Sequence, residues 1–169
     1  MILRHLRGMR MGQSLKTGRR AVFDLVTAGT PNYGPMRMAL YDLAPSLVVC
    51  SGKLRRGLYG AYDASLETIV IERALPYDLK KCTLVHELAH WVYDDDSRPP
   101  YGRRREREAR MLTARTLVDT KRYAQAECMY DGSAYNIARE LGLCEEVIRD
   151  YQCLVLPQIC RARTLVRTK

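Results

Sequence analysis

The chain has 169 residues, 47% of them hydrophobic and 28% charged, which is the composition of one globular domain with a buried core and excludes a disordered chain. Its 28 lysines and arginines outnumber its 19 aspartates and glutamates, and the charge of +9 favours acidic partners, nucleic acid or a membrane surface. No apolar run is long enough to span a bilayer, and the basic start lacks the apolar core of a signal peptide.

The basic excess lies mainly at the two ends of the chain. Residues 1–20 and the residues after Leu156 contain lysines and arginines but no acid, and such ends are commonly solvated arms. We therefore predict a basic N-terminal arm or helix over 1–35, a main domain over 36–156 and a basic tail over 157–169.

The six cysteines form no C-x-x-C pair. We interpret them as reduced thiols rather than as a disulfide framework, because no spacing among them suggests a stapled small fold. Cys82 falls inside a helical pattern, where buried free thiols are common. The expected location is the cytoplasm, without membrane attachment.

The first third of the chain predicts short elements separated by turn residues. They are helices over 21–28 and 36–44, and strands over 46–50, 57–62 and 66–72. The last two strands flank Asp63-Ala64-Ser65, a loop of hairpin type. In the second of them, Ile69 and Ile71 alternate with more polar residues, so that one face can pack on a helix.

A helix is predicted from Pro76 and Asp78 to about Tyr93, because proline and an acid both suit a first turn. Its apolar positions follow helical spacing: Leu79, Cys82, Val85, Ala89 and Val92. The aspartates at 94–96 then oppose the helix dipole. Either the helix frays there, or one of these carboxylates faces the site described below.

Four further helices are predicted, over 103–118, 121–130, 134–141 and 145–156, with Asp119-Thr120 as the cap of the second. The last pair, 134–156, has helix-turn-helix proportions. Its second helix carries Glu145, Glu146 and Asp150 against the single Arg149. That surface is poor for approaching phosphates, so direct nucleic-acid binding is not expected.

The predicted central helix contains His-Glu-x-x-His within Thr83–Trp91. Residues four apart lie on one helix face, so His86 and His90 can offer two imidazoles to one metal ion. Glu87, one residue on, can act as general base toward the attacking water. The alternative is a helix with two half-buried histidines.

A catalytic zinc site needs a third protein ligand. His5 is the remaining histidine, and it lies in the predicted arm. A metzincin would need Gly at position 93 and His at position 96, where this chain has Tyr93 and Asp96. Asp96 stays open as a ligand. Glu106, sixteen residues beyond His90, is favoured, because an antiparallel second helix could bring its carboxylate to the metal.

These motifs resemble the ImmA/IrrE family of zinc metallopeptidases over roughly residues 38–155, in a small type from phages and mobile elements. Thr83–His90 matches the family's T-L-x-H-E-[LI]-[AG]-H, and Glu106–Ala109 matches the start of E-x-x-A-[DN]. Residues 135–143 resemble a later I-A-x-E-L-G-V-like helix pair. The resemblance implies an α+β, zincin-like fold of gluzincin type. A small three-stranded sheet would pack on the HExxH helix, followed by a C-terminal helical bundle.

The implied site binds Zn2+ through His86, His90 and Glu106, with Glu87 as the catalytic base. The residue that stabilises the oxyanion is not visible in the sequence, and four tyrosines that can donate a hydrogen bond are unranked candidates: Tyr59, Tyr62, Tyr101 and Tyr123. In such folds an edge strand often receives an extended substrate, and strand 66–72 is the expected one.

Arg110 departs from the family pattern, which has Asp or Asn at this position. Such a residue could accept the free ring N–H of a ligating histidine, whereas arginine has no acceptor. One of the aspartates at 94–96 is the expected replacement; otherwise metal binding is weaker. An Arg110→Asp substitution is therefore expected to keep or tighten zinc affinity.

The resemblance implies a narrow protein substrate, a helix-turn-helix repressor of a phage or mobile element, which the protein would cleave or inactivate. One alternative is a non-cleaving antirepressor, a binding module with the same fold. Another is a component of a toxin–antitoxin pair. Replacement of Glu87 by Gln separates a protease from a binder, because only the protease needs the base.

Overall fold

The computed structural model describes residues 17–29, 31–93 and 102–167, with side chains as far as residue 162. The elements before the central helix are α1 (17–26), α2 (Tyr33–Leu43), β1 (Val48–Gly52), β2 (Gly60–Asp63) and β3 (Thr68–Glu72). The central helix and those after it are α3 (Tyr77–Tyr93), α4 (Gly102–Leu117), α5 (Thr120–Tyr130), α6 (Ala134–Leu141), α7 (Glu145–Asp150) and α8 (Leu156–Arg167), with a π-helical segment over Tyr151–Val155.

The three strands form one small sheet in the order β1-β3-β2. The predicted hairpin is confirmed, since β2 pairs antiparallel with β3. Its strands are shorter than predicted. Asp63 closes β2, because its carboxylate accepts the backbone N–H groups of Ser65 and Leu66 at 2.9 and 3.2 Å. The loop therefore covers residues 64–67 rather than 63–65.

The prediction that strand 66–72 forms the edge of the sheet is wrong. β3 is the central strand, because it also pairs in parallel with β1. The edge that lies against α3 belongs to β2. A local sequence pattern does not reveal this order, because the parallel β1–β3 pairing joins residues twenty apart, such as Val48 and Thr68.

Helix α3 is the centre of the molecule, with the sheet and α4 both packed on it. The predicted alternation in β3 is confirmed, because Ile69 and Ile71 are fully buried. In α3 burial extends beyond the predicted stripe to Leu84, Leu88 and Trp91. A helix covered on several sides buries most of its circumference.

Helix α1 belongs to the packed structure. Its described part covers residues 17–26, whereas the predicted helix begins at 21. Its Phe23 and Val26 join the hydrophobic core. Arg19 donates a hydrogen bond to the backbone carbonyl of Trp91 at 3.0 Å and forms an ion pair with Glu67. The described part of the predicted arm therefore packs on the end of α3.

The C-terminal helices agree with the predicted starts, and Asp119 caps α5 by accepting the N–H groups of Lys121 and Arg122. The helical backbone does not end at residue 156 but continues through the π-helical segment to Arg167. Tyr151 and Val155 anchor that segment in the core. The predicted α+β fold, with a three-stranded sheet on α3 and helices after it, is confirmed. No helix in the described ranges is both long and apolar enough to cross a membrane.

Candidate metal centre

His86 and His90 lie on one face of α3, as their spacing of four residues predicts. Their Nε2 atoms are 3.2 Å apart, and the two rings are nearly perpendicular, with an interplanar angle of 82°. The His90 side chain is 9% exposed and the His86 side chain 25% exposed. Both imidazoles therefore reach one point from a largely buried helix, and the site opens beside His86.

Glu106 brings a carboxylate to the same point from the beginning of α4. Its Oε2 lies 3.2 Å from Nε2 of His90, and its Oε1 lies 3.5 Å from Nε2 of His86. Helix α4 packs against α3, and residues late in α4 meet residues early in α3 along one cavity. This antiparallel arrangement is the one that the spacing of sixteen residues predicts.

The three side chains fit a zinc ion. Their donor atoms all lie within 4.8 Å of one another, and in the described part of the chain no other group of three acidic, histidine or cysteine residues has this arrangement. Zinc bonds of about 2.0–2.1 Å in a tetrahedron would separate two donors by about 3.3–3.4 Å. The two histidine nitrogens are 3.2 Å apart, and each lies 3.2 or 3.5 Å from the nearer Glu106 oxygen, which is close to that value. Two imidazoles and one carboxylate also form a donor set typical of catalytic zinc.

The charge state of Glu106 suits metal binding. Hydrogen bonds from His86 and then from His90 hold the pKa of its carboxyl well below the usual range, although partial burial acts in the opposite direction. The side chain is 48% exposed, so solvent screens part of this effect. Glu106 is therefore ionised over the whole neutral range.

Glu87 has a different environment, although it is next to His86 in sequence. It is 7% exposed, and its carboxylate accepts a hydrogen bond from the backbone N–H of Tyr62 on β2. Burial raises the pKa of Glu87, while the neighbouring histidines counteract part of that effect. A raised pKa is the property that a carboxylate needs to accept a proton and to release it again near neutral pH.

Gly60 leaves the space that the Glu87 side chain occupies. A Cβ atom at position 60 would lie 2.5 Å from Cγ2 of Thr83 and 2.8 Å from Oε1 of Glu87. Strand β2 can therefore approach α3 this closely only with glycine at this position. Neither role is predicted by the sequence, because glycine has no side chain and the Tyr62 contact is made by a backbone N–H.

A cavity of about 410 Å³ opens beside the three potential ligands and Glu87. It lies between the loop before β2, α3, α4 and the start of α7, and its wall includes Leu58, Tyr59, Leu79, Cys82, Thr113 and Val147. An extended peptide side chain fits such a space, because ligand pockets are concave and mostly apolar with a few polar groups.

The four tyrosine candidates for oxyanion stabilisation differ in their position relative to the cavity. Tyr59 lines the cavity together with His86 and Glu106. Tyr62 meets Glu87 through its backbone. Tyr123 is 1% exposed, donates its hydroxyl proton to Glu127 at 2.7 Å and packs on Tyr151, away from the cavity. Tyr101 lies outside the described residues. Tyr59 is therefore the described candidate best placed to meet a substrate.

Arg110 makes a native contact that sequence analysis did not foresee. Its guanidinium forms two hydrogen bonds with the carboxylate of Asp150 on α7, one of them from Nε to Oδ2 at 3.0 Å. The Asp150 side chain is 8% exposed, whereas that of Arg110 is 47% exposed. Asp150 was interpreted only as an acidic surface residue of the helix pair, and a forty-residue separation gives no local signal of the contact.

The remaining sequence candidates lie outside the described residues. These are His5, considered as a third ligand, and the aspartates at 94–96, considered as a ligand or as support for a histidine. Within the described residues, Glu106 is the carboxylate that joins the two histidines. The expected effect of Arg110→Asp on zinc affinity stays a prediction.

Comparison with known proteins agrees with this geometry. Residues 46–150, more than half of the chain, match the family model of the IrrE N-terminal-like domain, a peptidase family. No curated protein matches the chain. The matched span contains the whole sheet, α3 with both histidines, α4 with Glu106, and α7. The chain therefore belongs to the ImmA/IrrE family of metallopeptidases.

Proposed function

We propose that this protein is a zinc-dependent metalloendopeptidase in which His86, His90 and Glu106 hold Zn2+ and Glu87 is the catalytic base. The observation that carries the proposal is the meeting of the His86 and His90 ring nitrogens, 3.2 Å apart, with the Glu106 carboxylate, whose oxygens lie 3.2 and 3.5 Å from them, beside the buried Glu87. Membership of a peptidase family supports the same chemistry.

Zinc in this site would supply Lewis-acid polarisation of a peptide carbonyl and would lower the pKa of water. Glu87 takes a proton from the attacking water, and its raised pKa allows it to pass that proton to the leaving amine. The N–H of Tyr62 and the space left by Gly60 orient the carboxylate. Tyr59, in the cavity wall, is the proposed hydrogen-bond donor to the carbonyl oxygen as negative charge develops on that oxygen.

The start of β2, at Tyr59 and Gly60 in the cavity wall, is the proposed docking edge for substrate, because further along the strand the N–H of Tyr62 already donates to Glu87. In its antiparallel pairing with β3, the Tyr59 carbonyl accepts the N–H of Glu72, so that the backbone groups of Gly60, one residue on, face away from β3. An extended peptide can add to this edge through main-chain hydrogen bonds, and the adjacent cavity can receive one of its side chains.

The proposed substrate is a helix-turn-helix repressor of a phage or mobile element, cleaved at one site in the cytoplasm. Six cysteines without a disulfide suit a reducing compartment. The choice of a regulatory protein substrate follows the resemblance to the ImmA/IrrE family, and the cavity of about 410 Å³ beside the metal site can receive a side chain of that substrate. A toxin–antitoxin role would use the same site on a partner encoded nearby.

The direct test incubates the zinc-loaded protein with the helix-turn-helix regulator encoded beside it and follows cleavage by mass spectrometry. We expect one cut, which disappears in Glu87→Gln and in zinc-depleted protein. Glu108→Gln is the matched control. Glu108 lies two residues after Glu106 on the same helix, but its carboxylate pairs with Arg104 and Arg105, so the activity of this variant should be unchanged.

A non-cleaving binding module gives the opposite result. The regulator would then be inactivated equally by wild type and by Glu87→Gln, and no fragment would appear with either protein. Zinc binding alone would not distinguish a protease from a binding module, since a binder with the same fold would also retain His86, His90 and Glu106.

A further inference from the structure

Two cysteines meet in the wall of the cavity beside the metal site. Cys82 lies one turn before His86 on α3, and Cys144 immediately precedes α7. The backbone N–H of Cys144 donates to the sulfur of Cys82 at 3.3 Å, and the two thiols are hydrogen-bonded to each other. They are sixty-two residues apart in sequence, so only the tertiary fold brings them together.

The two sulfurs have unequal acidity. The hydrogen bond from the Cys144 thiol, together with that from its backbone N–H, lowers the pKa of Cys82 despite burial. The same hydrogen bond and burial raise the pKa of Cys144. Cys82 is therefore the thiol that reacts first as a nucleophile, and Cys144 is the neighbouring thiol that can attack Cys82 once it is oxidised.

Access to this pair is through the cavity. Cys82 is 4% exposed and Cys144 is partly exposed, yet both line the cavity that contains the metal site. Hydrogen peroxide is small enough to enter a space of about 410 Å³ and reach Cys82 in its wall, whereas a large disulfide reagent reaches a side chain that is 4% exposed less readily. Selectivity for a peroxide over a large disulfide reagent follows from this geometry.

We propose that Cys82 and Cys144 form a reversible intramolecular disulfide when the protein meets hydrogen peroxide. The Cys82 thiolate attacks one peroxide oxygen, so that an S–O bond forms, the O–O bond breaks, and the departing hydroxide takes the proton lost by Cys82. The Cys144 sulfur then attacks Cys82, so that the S–S bond forms and the second oxygen leaves as water with the Cys144 proton. The two thiols are oxidised, and the peroxide is reduced to two waters.

The disulfide would join two walls of the same cavity. Cys82 belongs to the helix that carries both histidines, and Cys144 begins the helix whose Asp150 holds Arg110. Oxidation would therefore link the start of α7 covalently to α3, one turn before His86. In reducing cells such disulfides are transient and act in redox sensing, which matches a pair that is free in the reduced protein.

The test treats the full zinc-loaded chain with a small molar excess of hydrogen peroxide, blocks remaining thiols with N-ethylmaleimide, and maps peptides by mass spectrometry. We expect a Cys82–Cys144 linked peptide before the exposed Cys128, Cys153 and Cys160 are modified. Dithiothreitol should reverse the link. The linked protein should melt roughly 5–10 °C higher than the reduced protein, because the link closes a long loop.

Two variants keep the test decisive. Cys144→Ser should abolish the link and the rise in Tm, and Cys153→Ser, which removes an exposed thiol, should leave both unchanged. Cys144→Ser replaces a partly exposed residue, so it provides the result even if substitution of the buried Cys82 prevents folding. Modification of the exposed cysteines with no Cys82–Cys144 link would overturn the proposal. None of these readouts depends on peptidase activity, so failure of the proposed proteolysis would leave them informative.

Discussion

At the scale of single residues, the site depends on a close approach between a strand and a helix. Gly60 on β2 leaves the volume in which Glu87 lies, and the N–H of Tyr62 donates to that carboxylate. A general base must be held within hydrogen-bond reach of the proton that it accepts. Position 60 is therefore expected to affect the proposed base directly, through the volume that Glu87 occupies.

Gly60→Ala should separate catalysis from metal binding. The added Cβ must displace either Thr83 or Glu87, and the Glu87 side chain, being longer, is the one that moves. We expect a loss of roughly 100-fold or more in kcat, consistent with a misplaced catalytic group, while zinc affinity in a competitive chelator titration changes little.

Gly34→Ala is the matched control for that substitution. Gly34 lies in α2, and a Cβ there meets nothing within 4 Å. The change should be neutral or stabilise the protein by about 0.5–1 kcal/mol, because alanine favours helix over glycine. Wild-type kcat in Gly60→Ala would show that β2 does not position the base.

Glu87→Gln should stabilise the metal-free protein at neutral pH. Burial raises the pKa of Glu87 in the folded state above its unfolded value, so the ionised carboxylate opposes folding once the pH exceeds that value. Each unit of such a shift corresponds to about 1.4 kcal/mol. Below the unfolded pKa both side chains are neutral and the difference should vanish.

Urea unfolding of both proteins in chelator, from acid to neutral pH, measures this effect. The free-energy difference in favour of Gln should grow as the pH rises through the folded pKa of Glu87. A difference that is constant with pH, or that favours Glu at neutral pH, would show that other contacts compensate for the buried charge.

At the scale of elements, the Arg110–Asp150 pair ties α4 to α7 next to the cavity. Arg110 lies one turn after Glu106, and Asp150 is nearly buried. Removing one partner of a buried pair leaves an uncompensated charge. The tie therefore helps to hold α4 where Glu106 can reach the two histidines.

Arg110→Met should destabilise the protein by about 1–3 kcal/mol, because it leaves Asp150 buried without a partner while solvent screens part of the loss. Arg110→Asp should be worse, since it places two carboxylates together. The double variant Arg110→Met with Asp150→Leu should recover most of the stability. Thermal unfolding of the single and double variants gives the coupling energy.

Arg104→Met provides the control for an ordinary surface pair. The Arg104 side chain is 83% exposed and bonds Glu108 within the same helix. Its removal should change stability by about 0.5 kcal/mol or less. If Arg104→Met and Arg110→Met lowered the free energy of unfolding equally, the Arg110–Asp150 pair would contribute no more to stability than an ordinary surface ion pair.

At the scale of the whole molecule, α1 closes the core over the end of α3. Phe23 is fully buried, and Arg19 bonds both the Trp91 carbonyl and Glu67. Glu67 also accepts the indole N–H of Trp91 at 3.0 Å and has a left-handed φ of 47°, which a non-glycine residue adopts only when it is held there. The N-terminal helix and the hairpin loop thus meet on the residue next to His90.

Deletion of residues 1–30 should therefore unfold or strongly destabilise the protein, because loss of Phe23 and Val26 alone removes buried side chains worth about 3–5 kcal/mol. Trp91, the single tryptophan, reports the change by a red shift of its fluorescence. Deletion of residues 1–16 is the control, since it keeps Arg19 and Phe23. If the protein without residues 1–30 kept the native fluorescence and Tm, α1 would not be needed for folding.

The sequence alone determined which three residues could meet as metal ligands, and it determined most helices of this protein. Two histidines four residues apart share a helix face whatever surrounds them, and caps and breakers such as Asp119 and Asp63 act on neighbouring backbone groups. Glu106 was within reach of the same reasoning, because a short connection between two helices favours an antiparallel hairpin.

Only the tertiary structure decided what supports that centre. The place of β3 inside the sheet, the contact of Gly60 with Glu87, the Arg110–Asp150 pair and the Cys82–Cys144 contact all join residues distant in sequence. Local periodicity shows which face of an element is buried but not which element covers it. Which elements pack against each other depends on the packing of the whole core, so these contacts can be identified only in the tertiary structure.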